Sequence, residues 1–86
     1  MSDDRPRQTE GLEVNEAEDG LIIYDTAADR VHHLNVSATV VFELCTGDND
    51  DDAIVTLVDA AFALDASAAV ETRACLAQLR AEGLIH

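Results

Sequence analysis

The side chains able to do chemistry in this chain are few. His32 and His33 are adjacent, Cys45 and Cys75 lie thirty residues apart, and His86 is the last residue. Neighbours in an extended segment point to opposite faces, so His32 and His33 cannot chelate one metal together. There is no Cys-x-x-Cys, no His-x-x-x-His and no glycine-rich phosphate loop. Asp48, Asp50, Asp52 and Asp59 do fall at positions one, three, five and twelve of a calcium-binding loop. That loop needs glycine at its sixth position and a bidentate Glu at its twelfth, where this chain has Ala53 and Asp59. Ser37 and Cys45 could be nucleophiles beside a histidine, but they stand where a helix cap and a core residue are expected. The residues assemble neither a catalytic group nor a metal site, and no cofactor is implied. The expectation is a protein that is not an enzyme.

The elements that would position these residues are legible in order. No hydrophobic periodicity is present in residues 1–10, which reads as a disordered tail, leaving 11–86 as one domain. Leu12 and Val14 alternate on a first strand. Asp19-Gly20 then signals a hairpin turn, because a type I′ turn needs positive φ at its centre. Leu21-Ile22-Ile23-Tyr24 forms a second strand, Asp25 to Asp29 a loop, and Arg30 to Leu34 a third strand. These make a three-stranded antiparallel meander.

From there the pattern turns helical. Asn35 can cap a helix running through Val41, Phe42, Leu44 and Cys45, with Ser37 as an alternative cap and Gly47 as its terminator. Ile54, Leu57, Val58, Ala61 and Phe62 follow the spacing of a second helix. The acidic run Asp48–Asp52 then lies at its N-terminus, where the helix dipole favours negative charge. Leu64-Asp65-Ala66-Ser67 breaks the chain, with Asp65 and Ser67 as rival caps. A last helix covers about 68–81, burying Ala69, Leu76 and Leu79 with Val70 and Cys75 near the stripe, and Leu84-Ile85 return to the core. The fold class is therefore α+β, a three-stranded antiparallel sheet followed by three helices.

Composition narrows the function classes. The net charge is −13, from 18 acidic residues against five arginines and no lysine. Affinity for nucleic acid rests largely on neutralising phosphates, so this field is the wrong sign for it, and for anionic membranes too. No apolar run approaches the ~18 residues of a membrane span. The start Met-Ser-Asp-Asp-Arg-Pro is polar and acidic, unlike a secretory signal, so a cytoplasmic location is expected. Cys45 and Cys75, each among apolar neighbours, read as reduced buried thiols. What remains is recognition through a surface. The free edge of the third strand could accept another extended chain, or it could be covered; the residues leave both open.

The block Arg30-Val31-His32-His33-Leu34-Asn35, followed by Phe42-Glu43-Leu44-Cys45-Thr46-Gly47, resembles the PqqD family. The matching positions are Leu34, Asn35, Ser37, Ala38, Val41, Phe42, Leu44, Cys45 and Gly47, in the order Leu-Asn-x-Ser-Ala-x-x-apolar-Phe-x-Leu-Cys-x-Gly. Asp19 to Tyr24 and Leu79 to Ile85 extend the likeness over residues 11–86. Phe42 stands where many members carry Trp, and the absence of lysine is a second departure. The resemblance implies a winged helix-turn-helix-like peptide chaperone, a RiPP recognition element. Such a protein binds the leader of a ribosomally made precursor peptide and presents it to a modifying enzyme such as a radical SAM protein. Carried over, the leader adds to the edge Asp29, Arg30, Val31, His32, His33 and Leu34, and lies against the last helix around Arg73, Leu76, Ala77 and Arg80. Arg30, Arg73 and Arg80 could pair with acidic leader residues or stand as lone solvated arginines. A winged-helix regulatory or DNA-binding module shares that fold. Self-pairing of the same edge in a homodimer is a third reading.

Overall fold

A computed structural model describes residues 5–62 and 68–86. Three strands, β1 (Leu12–Ala17), β2 (Gly20–Asp25) and β3 (Arg30–Leu34), precede three helices, α1 (Val36–Leu44), α2 (Asp51–Phe62) and α3 (Ala69–Ala81). The sheet is antiparallel in the order β1-β2-β3. This is the α+β architecture expected from the sequence.

Register follows from the side chains that must be buried. Leu21 pairs with Leu34 and Ile23 with His32, placing all four on the face that looks toward the helices. Ile22 pairs with His33 and Tyr24 with Val31 on the opposite face, where Ile22 and Val31 are exposed. The buried sheet residues meet Val41, Phe42 and Cys45 from α1 and its cap, Ile54 and Val58 from α2, Leu76 and Leu79 from α3, and the returning Leu84 and Ile85. Among these Phe42 is the one aromatic side chain, 1% exposed.

The strand-to-helix corner is made by Asn35. Its backbone is extended, with φ −72° and ψ −179°, and its side chain accepts from the Ala38 N–H at 2.9 Å. That is the cap the sequence offered, and Asn35 rather than Ser37 provides it. At the start of α2, Asp50 Oδ1 accepts from the Ala53 N–H at 2.8 Å. The acidic run thus caps and charges a helix N-terminus. Asp59, twelfth in the apparent calcium loop, accepts from the Ala68 N–H at 3.0 Å and ties α2 to the start of α3. The proposed break at Leu64–Ser67, with its rival caps, lies outside the described residues.

Several local expectations are corrected. The hairpin loop is Glu18-Asp19, and Gly20 is the first residue of β2, with φ 150°. A Cβ there would sit 1.7 Å from the Leu34 carbonyl oxygen, so glycine is required by close backbone approach rather than by the turn. α1 stops at Leu44 with Cys45 as C-cap, two residues before Gly47. Gly47, at φ 86°, instead lies under the Arg7 guanidinium and donates its N–H to the Pro6 carbonyl. On α3, Val70 is 78% exposed and Thr72 takes the buried place in the stripe. On α2, Val55 is buried while Leu57 and Phe62 are partly exposed.

Residues 5–9 also depart from the expected tail, because they are bound into the fold. Arg7 and His86 exchange two backbone hydrogen bonds of 2.9 Å, Gln8 donates to the Cys45 carbonyl, and Thr9 donates to that of Leu84. Pro6 is fully buried. The Gln8 amide reaches the Phe42 carbonyl at 3.0 Å, and the Thr9 hydroxyl reaches that of Gly83 at 2.6 Å. This segment pairs through its backbone and polar side chains, which leaves no apolar period to read.

Two stability measurements check this architecture. Phe42→Ala should cost about 3–5 kcal/mol by urea denaturation, the range for emptying a large buried site. Deleting residues 1–9 should cost about 3 kcal/mol, since it opens several backbone bonds that net about 0.5–1.5 kcal/mol each.

Candidate functional site

The outer edge of β3 is the open edge of the sheet next to the helical layer. Its geometry follows from the loops at either end of β2. The two-residue loop between β1 and β2 makes Ala17 and Gly20 a hydrogen-bonded pair. Counting alternately from there, Leu21–Leu34, Ile23–His32 and Asp25–Arg30 are the bonded pairs of β2 and β3. The N–H and C=O groups of Val31 and His33 therefore point away from β2. Asp29, at φ 54°, closes the preceding loop and accepts from the Tyr24 hydroxyl at 2.7 Å. That hydrogen bond, first among the causes, raises the Tyr24 pKa above its ordinary value.

The two histidines do face opposite ways. His33 Nε2 lies 3.2 Å from Asp19 Oδ1 on the open face. His32 looks toward the helices, its side chain 10% exposed, with Nδ1 3.1 Å from Glu82 Oε2 just past the end of α3. The carboxylate assigns the proton to Nδ1. His32 Nε2 is buried without a hydrogen-bond partner. Glu82 is held from the other side by Gln78, whose Nε2 donates to Oε1 at 2.9 Å. The contact is made by side chains across the space between the two elements, since no Cα of β3 comes within 8 Å of a Cα of α3.

The sequence-derived site residues on α3 are dispersed. Arg73 pairs with Asp52, and Arg80 Nη2 lies 3.1 Å from Asp51 Oδ1. Both arginines thus point to α2, and the bond to Asp52 raises the Arg73 pKa. Leu76 is fully buried in the core, and Ala77 is exposed. Glu71, Cys75, Gln78 and Glu82 follow at spacings of four, three and four residues along the other side of the helix, and Glu82 meets His32 of β3. From the edge itself, Arg30, Val31 and His33 are exposed, the His32 side chain is largely buried and Leu34 is core. Sequence reasoning missed Gln78 and Glu82. Their seven-residue partner spacing with Glu71 and Cys75 was visible, but not the direction in which it faces.

A match to the family model "Coenzyme PQQ synthesis protein D (PqqD)" spans residues 20–85. The chain belongs to the PqqD family. No curated protein and no solved structure was found to match. PqqD proteins are peptide-binding chaperones of PQQ biosynthesis, recognition proteins rather than catalysts. The matched span begins at β2 and takes in the β3 edge, all three helices and Glu82. Among the described residues no helix is long and apolar enough to cross a membrane. Nor do they include a group of three or more His, Cys, Asp or Glu that could hold a metal ion.

The thiols complete the site's chemistry. Cys45 is buried and donates to the Val41 carbonyl at 3.2 Å, and burial pushes its pKa up to about 12. Cys75 is partly buried and its pKa is also raised by burial. A thiol held protonated in the folded state loses ground once the unfolded chain can ionise it. The Cys45 contribution is therefore complete below pH 9.0 and is lost as pH rises toward about 12. The urea midpoint should fall over that window, and less steeply in Cys45→Ala; parallel slopes for the two proteins would exclude Cys45 as the cause.

Proposed function

We propose that this PqqD-family chain binds the leader segment of a ribosomally made precursor peptide as a fourth strand on β3. It then presents the bound peptide to a modifying enzyme, such as a radical SAM protein. The observation that carries the reading is the edge of β3. The backbone groups of Val31 and His33 turn away from β2, beside the place where His32 meets Glu82 at the end of α3. An added strand lies about 4.8 Å from its neighbour. Its inward side chains would then enter the space roofed by His32, Gln78 and Glu82. Family membership supports the peptide and the enzyme partner; the edge supplies the means.

The nucleic-acid reading gains nothing from the helices. Arg73 and Arg80, the cations of α3, are each engaged by an aspartate of α2. Self-pairing would use the same edge and would compete with peptide.

The test is isothermal titration with the N-terminal half of a precursor peptide encoded beside this chain's gene. Micromolar or tighter binding is expected, and Val31→Pro or His33→Pro should abolish it while helical circular dichroism persists, because each removes an outward donor. Unchanged affinity in both variants would overturn strand addition.

A further inference from the structure

The charges of α3 are sorted by side. The buried stripe of Thr72, Leu76 and Leu79 is flanked on one side by Arg73 and Arg80, both paired with α2. Glu71, Cys75, Gln78 and Glu82 flank it on the other side, toward β3. That side of α3 therefore carries carboxylates and an amide, with the arginines turned away. Below it, His32 donates through Nδ1 to Glu82 and keeps a buried Nε2 with no partner. In the tautomer that carries its proton on Nδ1, Nε2 is an acceptor. Glu82 is 29% exposed, and its two oxygens are steadied by His32 and Gln78. The charged group left partly open here is the Glu82 carboxylate, which accepts hydrogen bonds, and the chain's net charge is −13. Arg30 is the cation nearest in sequence, two residues along the same face of β3, and forms no ion pair among the described residues.

We propose that the strand paired with β3 is a basic peptide, with a lysine or arginine opposite His32 whose charged end is received by Glu82. The proposal rests on the strand-addition reading and adds the chemistry of its ligand. It reverses the acidic partner suggested by the arginines in the sequence. The His32 and Gln78 contacts act by holding the carboxylate in place, so that a cation meets a prepared acceptor rather than a mobile side chain.

The probe is a displayed library of short random peptides selected on the whole chain, followed by synthesis of the enriched sequences. Binders that protect the Val31 and His33 amides from hydrogen exchange should share a Lys or Arg at one position. Replacing that residue by norleucine should weaken binding about tenfold or more, the scale of a charge-assisted hydrogen bond. On Glu82→Gln, an isosteric change at a partly exposed site, the two peptides should bind alike; His32→Phe should give the same levelling. Binders that protect β3 but show no basic preference, or keep it on Glu82→Gln, would overturn this proposal and leave strand addition standing. If no enriched peptide protects β3, strand addition itself falls, and this proposal with it.

Discussion

The fold depends on a single-residue corner. At Asn35 the chain passes from β3 into α1, and the side chain that accepts from Ala38 makes the change of direction stable. Thr39 reinforces it, its N–H donating to the Asn35 carbonyl at 2.8 Å. Gly20 brings the start of β2 close against the Leu34 carbonyl, so the same corner also sets the hairpin that precedes it. A helix that starts so abruptly folds back over β2 and β3 instead of continuing past the sheet. Among the described residues, no strand pairs with the outer side of β3. An accessible edge in a small domain is usually a hazard for aggregation. Here it is short, five residues, and begins beside charged Asp29 and Arg30.

The second determinant is the amphipathic character of α3, which has three kinds of surface rather than two. Its apolar stripe is held by the core, and the flanks are chosen by charge. Asp51 and Asp52, in the first turn of α2, already favour that helix through its dipole. They then attract Arg73 and Arg80 from α3, fixing how α3 is turned about its axis. Each such surface pair contributes only about 0–1 kcal/mol. Orientation, more than stability, is their effect: they leave the glutamates on the side facing the sheet.

These two features differ in how far they can be read from the chain alone. Asn35, the strand pattern around Ile23 and Leu34, and the opposed histidines depend on neighbours a few residues away, and all are visible in sequence. So is the capping by Asp50. The facing of Arg73 and Arg80 depends on aspartates more than twenty residues earlier, a relation with no local signal. The family likeness sets those arginines beside the ligand, and carries no sign of their pairing with α2. Gly20 and Gly47 were recognisable as special positions, but their reason, approach of backbone or of Arg7, is tertiary. Leu76 belongs to the core stripe by its spacing alone, and the fold buries it there.

The clasp at residues 5–9 has a consequence for the order in which the chain can fold. Arg7 bonds to His86, a closure between nearly opposite ends of the chain. Contacts of such separation carry the full entropy of closing the intervening chain, and that entropy is recovered only when the rest is already in place. The carbonyls of Cys45 and Leu84 must be presented together before Gln8 and Thr9 can bridge them. Residues 7–9 are thus among the last to settle during folding. Until they do, the backbone at the end of α1 and along the final residues is itself unpaired, a second and transient edge that exists only while the molecule is being made.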